Sequence, residues 1–333
     1  MTWNGPHRHA LTVVASTDAF LRDFSPYVPS INGDGVVAFQ ATDAHGHSSV
    51  HCAIGQQVTA IAPGAGLAGI AVRSHPDINR SGQTSFYAEG DGRPGVFLVE
   101  KGDLRRIHDG HGPLGPTMNE SGSVAFRATG PSGGEAIFVS TSHGVRLIAE
   151  AGERFAAFHG LPLMEASGSV AFRADRTDGI HGIYRGDGSS TQAVIECGSS
   201  WRSIGPFPSC DDAGRIGFCA ERCDGTVVAC IEEAGEITEV VSSANGFESL
   251  RTVLLGADGP VAVVGTPIGG TLGIFTGPNL NAGGLLSRGA GLLGASVVEF
   301  ALNPVSVNGR GQLAIRVRFA DGRQCILRAD PVV

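Results

Sequence analysis

Short apolar runs, separated by turns of glycine, aspartate, asparagine and serine, recur along the whole chain. In one clear unit they cover residues 116–118, 123–128, 136–140 and 145–149. Runs of this length that alternate or stay apolar, and that end at turn residues, predict β-strands. Each unit therefore predicts an inner strand followed by a second, a third and a fourth strand, all antiparallel.

The unit is repeated seven times. Its copies can be aligned on the glycine that follows the inner strand: Gly35, Gly82, Gly122, Gly168, Gly214, Gly259 and Gly311. The copies are roughly 40 to 52 residues apart, which is the spacing of propeller blades. Four positions after each glycine comes a large apolar residue: Phe39, Phe86, Phe126, Phe172, Phe218, Val263 and Ile315. This column predicts a buried core.

A turn that most often has the form Asn-x-x-Gly joins the inner strand to the second strand. Its first residue is Asn32, Asn79, Asn119, Glu165, Asp211 or Asn308 in the copies that carry a polar residue there. Asparagine accepts hydrogen bonds from nearby backbone N–H groups, and glycine tolerates a positive φ. We therefore assign these residues to the scaffold.

The two ends of the chain predict how the ring of blades closes. Residues 11–15 resemble a fourth strand without its other three, whereas 312–318 and 324–328 supply the second and third strands of a unit that lacks its fourth. Pairing these ends removes an open sheet edge. We predict one all-β domain over 1–333, a seven-bladed β-propeller of four-stranded antiparallel blades closed by the N-terminal strand. Residues 245–252 and 285–294 lack a helical period and are expected to be blade connections.

Composition and charge narrow the possible partners. A net charge of −8 without a basic stripe argues against binding to nucleic acid. The chain has no basic amphipathic helix and no long apolar run, so we expect no membrane association. Residues 1–9 are too polar for a signal peptide, and we expect a cytoplasmic protein.

The seven cysteines are odd in number and include no Cys-x-x-Cys pair. We expect free and mostly buried thiols. Cys219, Cys223 and Cys230 are close in sequence, but a metal or a disulfide at these three is the less favoured interpretation.

The repeat Pro-x-Ile-Asn-x-x-Gly-x-Val-Ala-Phe resembles, over nearly the whole chain, bacterial propeller repeats that are similar to the TolB-type repeat. Residues 29–39, 76–86, 116–126, 162–172 and 208–218 carry it. The sixth copy departs from the pattern, and the seventh has its proline shifted to Pro304. The resemblance implies the fold and no particular activity, because such scaffolds carry many functions.

Residues that differ between copies are the candidates for function. In a propeller, the loops between blades and the loops between second and third strands share one face, and several histidines fall in these loops. We expect His75, His111, His159 and Tyr27 to form a catalytic pocket at the channel mouth, where imidazoles and a phenol transfer protons. His181, beside a loop between second and third strands, is a candidate substrate-binding residue.

Asp77 is the one charged residue in the column that follows the inner-strand proline, where several copies have serine or threonine. This column either borders a water-filled channel, or Asp77 orients a histidine or binds a cationic group of a substrate.

Two arginines, Arg127 and Arg173, directly follow the core phenylalanine of their copies. They either tie blades to carboxylates such as Glu135 and Asp175 or hold a substrate anion. A further pair, Trp201 and Arg202, precedes the fifth copy in a predicted loop and is expected to form one wall of the pocket.

No motif of a known catalytic class is present in the chain. His108 and His111 would hold a divalent metal only if another histidine joined them, and we expect neither a metal nor a redox cofactor. Two hypotheses remain. The favoured one is a small-molecule enzyme that uses His, Tyr and Arg for an elimination, cyclisation or rearrangement in a biosynthetic pathway. The alternative is a non-enzymatic scaffold that binds a protein or another ligand.

Overall fold

Seven antiparallel sheets follow one another along the chain in the computed structural model, which describes residues 9–17, 20–61, 70–277 and 284–332. Blade one contains Leu21–Asp23, Ser30–Ile31, Val37–Asp43, Ser48–Ile54 and Gln57–Ala60. Blade two contains Ile70–Val72, Asp77–Ile78, Thr84–Gly90, Arg93–Glu100 and Asp103–Asp109. Blade three contains Thr117–Met118, Val124–Thr129, Glu135–Thr141 and Gly144–Glu150. Blade four contains Phe155–Met164, Val170–Arg176, His181–Gly186 and Thr191–Glu196.

The remaining three blades complete the predicted seven-bladed propeller, which is confirmed. Blade five contains Trp201–Ile204, Ser209–Cys210, Ile216–Arg222, Val227–Glu233 and Glu236–Ser242. Blade six contains Phe247–Gly256, Gly259–Pro267, Gly273–Thr276 and Gly284–Ser287. Blade seven contains Gly291–Leu292, Ala295–Ala301, Leu313–Phe319, Gln324–Pro331 and His9–Ser16. The 3-10 turns are Ser243–Asn245 and Pro304–Ser306. No helix in these described segments is long and apolar enough to cross a membrane.

The inner strand is longer than predicted in several blades. It consists of two segments, one on each side of an irregularity, and both segments pair with the second strand. In blade four, the strand Phe155–Met164 pairs with the second strand on both sides of a register break between His159 and Leu163. In blade five, the two segments are separate strands that pair with the same neighbour. The predicted loop at Trp201 and Arg202 is therefore wrong, since both residues lie in the first segment.

The two stretches predicted as blade connections also contain strands. Residues 247–252 belong to Phe247–Gly256, the inner strand of blade six. Residues 285–287 belong to Gly284–Ser287, and Gly291–Leu292 forms a short strand at the edge of blade seven. Both stretches lack a helical period, but this absence does not distinguish a loop from an irregular strand.

The repeated apolar column and the repeated glycines have the predicted roles. Every member of the column is at most 1% exposed, and it lies in the second strand of its blade. The seven aligned glycines all have positive φ, from 74° to 121°, a conformation that only glycine adopts without strain.

The turn asparagines also join neighbouring blades, a role that the sequence analysis did not predict. The Nδ2 group of Asn32 donates to the backbone carbonyl of Asn79 at 3.0 Å, and Asn119 donates in the same way to Glu165 at 3.0 Å. Asn308 donates to Asn32 at 2.8 Å across the junction of blades seven and one. Meanwhile Oδ1 of each asparagine accepts N–H groups of its own turn, as Asn32 does from Asp34 at 3.0 Å. One side chain thus closes a turn and links two blades.

Arginines make the equivalent links where the asparagine is replaced. In blade four, Arg185 pairs with Glu165 at 2.7 Å and donates to the carbonyl of Gly214 in blade five at 2.6 Å. In blade five, Arg215 pairs with Asp211 at 2.6 Å and donates to the carbonyl of Ala257 at 2.7 Å. An acid and an arginine together therefore do what one asparagine does elsewhere.

The N-terminal strand closes the ring as predicted. His9–Ser16 pairs antiparallel with Gln324–Pro331, with Leu11 opposite Ala329 and Val13 opposite Leu327. Blade seven therefore combines strands from both ends of the chain, and the predicted closure is confirmed.

Replacement of Asn32 by alanine tests the importance of the links between blades. Asn32 is 4% exposed, and the change removes its bond to Asn79 and leaves the turn N–H groups without their acceptor. We expect Asn32→Ala to lower the free energy of unfolding by about 2 kcal/mol or more, measured by urea or thermal unfolding. Asp34→Ala is the matched control, because the side chain of Asp34 makes an exposed ion pair with Arg310. This substitution should change the free energy of unfolding by less than about 0.5 kcal/mol. Equal losses in the two variants would contradict the role of Asn32.

Candidate active site

Two histidines in blade four share one carboxylate. His159 Nε2 lies 2.7 Å from Asp175 Oδ2, and His181 Nδ1 lies 2.7 Å from Asp175 Oδ1. Arg173 Nη1 is 3.6 Å from Asp175 Oδ1. Three of the predicted site residues, His159, His181 and Arg173, therefore meet around Asp175.

The register of blade four explains why these residues meet. Asp175 lies directly opposite His181 in the pairing of the second and third strands, and His159 lies opposite Arg173 in the pairing of the inner and second strands. Side chains at directly opposed positions of an antiparallel pair are neighbours. Arg173 and Asp175 are two residues apart in one strand and so point to the same face. The cluster is therefore held by three adjacent strands and not by a loop.

The ionised carboxylate of Asp175 decides which nitrogen of each histidine carries a proton. Burial raises the pKa of the Asp175 carboxyl, but the hydrogen bonds from His181 and His159 together lower it by more than burial raises it. The pKa of Asp175 therefore lies below the ordinary value. Because an ionised carboxylate only accepts hydrogen bonds, His159 donates through Nε2 and His181 through Nδ1. The second nitrogen of each ring has no hydrogen-bond partner among the residues that the structure describes, and both side chains are partly exposed, at 36% and 46%.

The two arginines that follow the core phenylalanine, Arg127 and Arg173, have different surroundings. Arg127 pairs with Glu135 and donates to the carbonyls of Phe158 and Gly160 in blade four. Its role is to tie two blades together. Arg173 donates through Nε to the carbonyl of Ile204 at 3.2 Å and otherwise approaches Asp175. Within the described part of the chain, the guanidinium of Arg173 has N–H groups left over for a further acceptor.

Blade five contacts the cluster through Ile204, whose carbonyl accepts the Nε–H group of Arg173. The backbone N–H of Cys197 donates to the carbonyl of His181 at 2.8 Å, which connects the end of blade four to the site. Trp201 packs edge-on against the buried Phe218, and Arg202 pairs with Glu221 at 2.8 Å. Trp201 and Arg202 thus belong to the neighbouring inner strand, and Arg202 already has an acidic partner.

The four residues predicted to form the catalytic pocket are not brought together by any contact among the described residues. Tyr27 accepts a hydrogen bond from Arg316 at its carbonyl, and burial raises the pKa of its phenol. His111 lies beside the Tyr87 ring, with 5.8 Å between the ring centroids. The inner strand of blade four begins at Phe155, before Pro162, so that His159 lies opposite Arg173 of the second strand. His159 therefore belongs to the cluster around Asp175.

His75 is a buried residue of the blade two and blade three boundary. It is 3% exposed, its Nε2 has no hydrogen-bond partner among the described groups, and burial lowers its pKa to about 4. A side chain at Gly115 would come within 2.6 Å of the imidazole. His75 is therefore packed against the backbone of the next blade.

His108 and His111, the two histidines considered for a metal, contact different neighbours in the described residues. His108 stacks against Phe126 and Phe138, with 4.9 Å between ring centroids in both cases. His111 Nδ1 instead faces the Gly112 carbonyl. No group of three or more His, Cys, Asp or Glu side chains suited to a metal is found in the part of the chain that the structure describes.

The cysteines are free in the described structure. Cys219, Cys230 and Cys325 are buried, and burial raises the pKa of the Cys230 thiol to about 12. Cys52, Cys197 and Cys210 are only partly buried, and Cys223, which follows the strand Ile216–Arg222, is exposed. Fewer of the seven thiols are therefore buried than expected.

Asp175 was not among the predicted site residues, although it was expected to pair with an arginine. A usable signal was present in the sequence. Arg173 and Asp175 are two residues apart, so a second strand that continues to Asp175 places both on one face, and His181 follows in the next strand of the same hairpin. His159 could not be placed without knowing the bulge of the inner strand.

No protein-family model matches the chain, and no curated protein sequence matches it either. Many solved structures are similar to it, among them three that match nearly the whole chain. The propeller domain of the Trilobed protease from Pyrococcus furiosus has 11% identity and a TM-score of 0.60, covering 96% of this chain and 95% of that one. An oligogalacturonate lyase from Vibrio parahaemolyticus has 12% identity and a TM-score of 0.56, covering 97% and 98%. An oligogalacturonate lyase in complex with manganese has 11% identity and a TM-score of 0.51, covering 98% of both chains. These likenesses establish the propeller fold alone.

The pKa of Asp175 provides a direct test of the cluster. Replacing both His159 and His181 by phenylalanine keeps rings in place but removes both N–H donors, so burial then dominates and the pKa of Asp175 should rise. Carboxyl carbon shifts followed by NMR across a pH titration measure it. Asp187, whose pKa hydrogen bonds from Ser190 and Ser189 lower to about 2, is an internal control on the same blade and should not change. An unchanged Asp175 would show that the two imidazoles do not bind it in solution.

The buried Asp77 predicts an unusual pH dependence of stability. Burial raises the pKa of its carboxyl from 3.8 to about 7. Ionisation therefore penalises the folded state increasingly between these two values, fully above pH 7 and not at all below pH 3.8. We expect Asp77→Ser to raise the free energy of unfolding at pH 8, by at most about 4 kcal/mol at roughly 1.4 kcal/mol per pKa unit, and to have little effect at pH 4. Denaturant unfolding at the two pH values measures this, and the same effect at both would refute the assignment.

Proposed function

We propose that this protein is an enzyme that performs acid–base chemistry on a small anionic molecule at the cluster of His159, Asp175 and His181. The observation that supports it most is the pair of imidazoles held by one carboxylate, each with a second nitrogen free to exchange a proton. Scaffold histidines of this chain are arranged differently: His75 is buried, and the His108 ring lies against Phe126 and Phe138.

The geometry favours a reaction that needs a base and an acid at two nearby positions. One imidazole takes a proton from the substrate while the other, in its protonated form, gives one to the leaving group. The Asp175 carboxylate orients both rings and stabilises whichever ring carries the positive charge. An elimination has these requirements, and it is the reaction class that we assign.

The ligand class follows from Arg173. Its guanidinium lies beside the cluster and retains N–H groups for an acceptor, whereas Arg127 and Arg316 donate to several carbonyls of a neighbouring blade and to a carboxylate. A planar guanidinium binds a carboxylate with two parallel hydrogen bonds. The two similar oligogalacturonate lyases support uronic-acid oligosaccharides as the first compounds to test.

Turnover of acidic oligosaccharides should depend on both histidines. We expect His159→Phe and His181→Phe each to lower kcat by about 10²-fold or more, because one proton transfer is lost in each, and Arg173→Met mainly to raise KM. Formation of the unsaturated product, followed by ultraviolet absorbance, is the measurement.

His143→Phe is the control variant, since this exposed histidine lies in a turn of blade three away from the cluster. If both cluster variants keep full turnover, the cluster is not catalytic. Binding of an acidic oligosaccharide without any turnover in the wild-type protein would instead favour the non-enzymatic scaffold.

A further inference from the structure

A cavity lies on the propeller axis, at the opposite end of the strands from the histidine cluster. It has a volume of about 150 Å³ and is lined by residues of all seven blades, from the inner strands and the turns that follow them. In blade four, its wall includes Met164, which pairs with Val170, whereas Asp175 lies near the other end of that second strand. Five residues of strand span about 16 Å. The axial cavity is therefore separate from the site proposed above.

Asp77 is the one carboxyl group that the inner strands place in this cavity. It is 7% exposed, Oδ1 accepts the N–H of Ile78 at 2.9 Å, and Oδ2 accepts the N–H of Met118 in blade three at 2.7 Å. A hydroxyl serves the same purpose at the next blade boundary, where Thr117 Oγ1 accepts the N–H of Met164 at 2.8 Å. The link between blades therefore does not require a charge.

Hydroxyls at two other boundaries support the same conclusion. Ser209 donates to the carbonyl of Val253 at 2.5 Å, and Ser306 donates to that of Pro29 at 2.5 Å. Each of these residues occupies the repeat position of Asp77. Serine or threonine thus joins blades at three boundaries of the ring. Blades four and six have Leu163 and Leu254 at this position, and only blade two has an ionisable side chain there.

The Asp77 carboxyl has no cationic partner among the described residues, where no Arg, Lys or His forms an ion pair with it. Within the described segments, the charged side chain that affects the pKa of Asp77 is Glu120, which raises it further. A buried carboxylate without a counter-ion is strongly disfavoured. Asp77 is therefore either protonated or neutralised by a bound cation.

The rest of the cavity favours a cation with an apolar part. Its wall includes six large apolar side chains: Ile31, Ile78, Met118, Leu163, Met164 and Leu255. Its rim includes the acids Glu120, Asp211 and Asp212 and a single base, Arg80. Asp211 is paired with Arg215 at 2.6 Å, and Glu120 lies 3.7 Å from Arg80. Asp212 is therefore the rim acid without a basic partner among the described residues, and together with Asp77 it attracts positive charge.

We propose that the axial cavity is a binding site for a small organic ammonium ion, whose N–H groups donate to Asp77 and whose alkyl part packs against Met118, Met164 and Leu163. A bare divalent cation fits less well, because such ions take six or more oxygen ligands and the described residues supply no metal-binding cluster. The cavity volume accommodates a short alkylammonium ion as well as several waters. This site needs no part of the histidine cluster.

Calorimetric titration with n-butylammonium tests the proposal. At pH 8 we expect binding, and neither n-butanol nor butyrate should bind, since the first lacks charge and the second has the wrong sign. At pH 6 the affinity for n-butylammonium should fall about tenfold, because a carboxyl with a pKa of about 7 is then mostly protonated. Thermal unfolding with the same three compounds gives an independent readout that does not depend on any enzymatic activity.

Three variants identify the residue responsible. Asp77→Ser introduces the residue that other blades use and should lower the affinity at least tenfold and remove its pH dependence. Asp77→Asn preserves the shape of the side chain and serves the same purpose should the serine variant fail to fold. Asp34→Asn is the control, because this exposed turn acid is not part of the cavity wall.

Two results would overturn the proposal: no binding of n-butylammonium by the wild-type protein, or equal binding by the Asp77 variants and the wild type. The first would mean that the cavity holds only water. Neither result affects the histidine cluster, whose own test uses acidic oligosaccharides and turnover.

Discussion

The propeller depends on hydrogen bonds that cross from one blade to the next at the turns around its axis. Apolar packing between blades is not directional, and it leaves the rotation of each sheet about the axis weakly defined. The Asn32 and Asn308 side chains remove that freedom, because each closes its own turn and also binds the backbone of the next blade. Arg185 and Arg215 meet the same requirement with an ion pair. The ring is thus specified by polar contacts at its narrowest level.

Most of the fold could be predicted from the repeat because its letters report local requirements. A glycine with positive φ, a turn asparagine and a buried phenylalanine act within one blade, so their spacing reveals the blade. Contacts between blades are not visible in this way. The bond from Asn119 to Glu165 joins residues 46 positions apart, and no local pattern indicates it. Arg185 could not be identified as a substitute for asparagine, since it lies in the third strand instead of the turn.

The structure brings together only some of the candidate site residues. His159, His181 and Arg173 meet around Asp175, but Tyr27, His75 and His111 were grouped with His159 on the assumption that every inner strand begins at its proline. The inner strand of blade four begins at Phe155. That longer strand places His159 opposite Arg173 and beside Asp175, whereas His75 is buried against Gly115 at the boundary of another blade.

Two aspartates show how one scaffold supplies opposite electrostatic environments. Asp175 is partly buried but accepts hydrogen bonds from two imidazoles, which lower its pKa below the ordinary value. Asp77 accepts only backbone N–H groups, and burial raises its pKa to about 7. The first therefore carries a fixed negative charge that can orient bases at one end of the strands. The second is poised to lose its proton near neutral pH, so any cation that enters the axial cavity competes there with that proton.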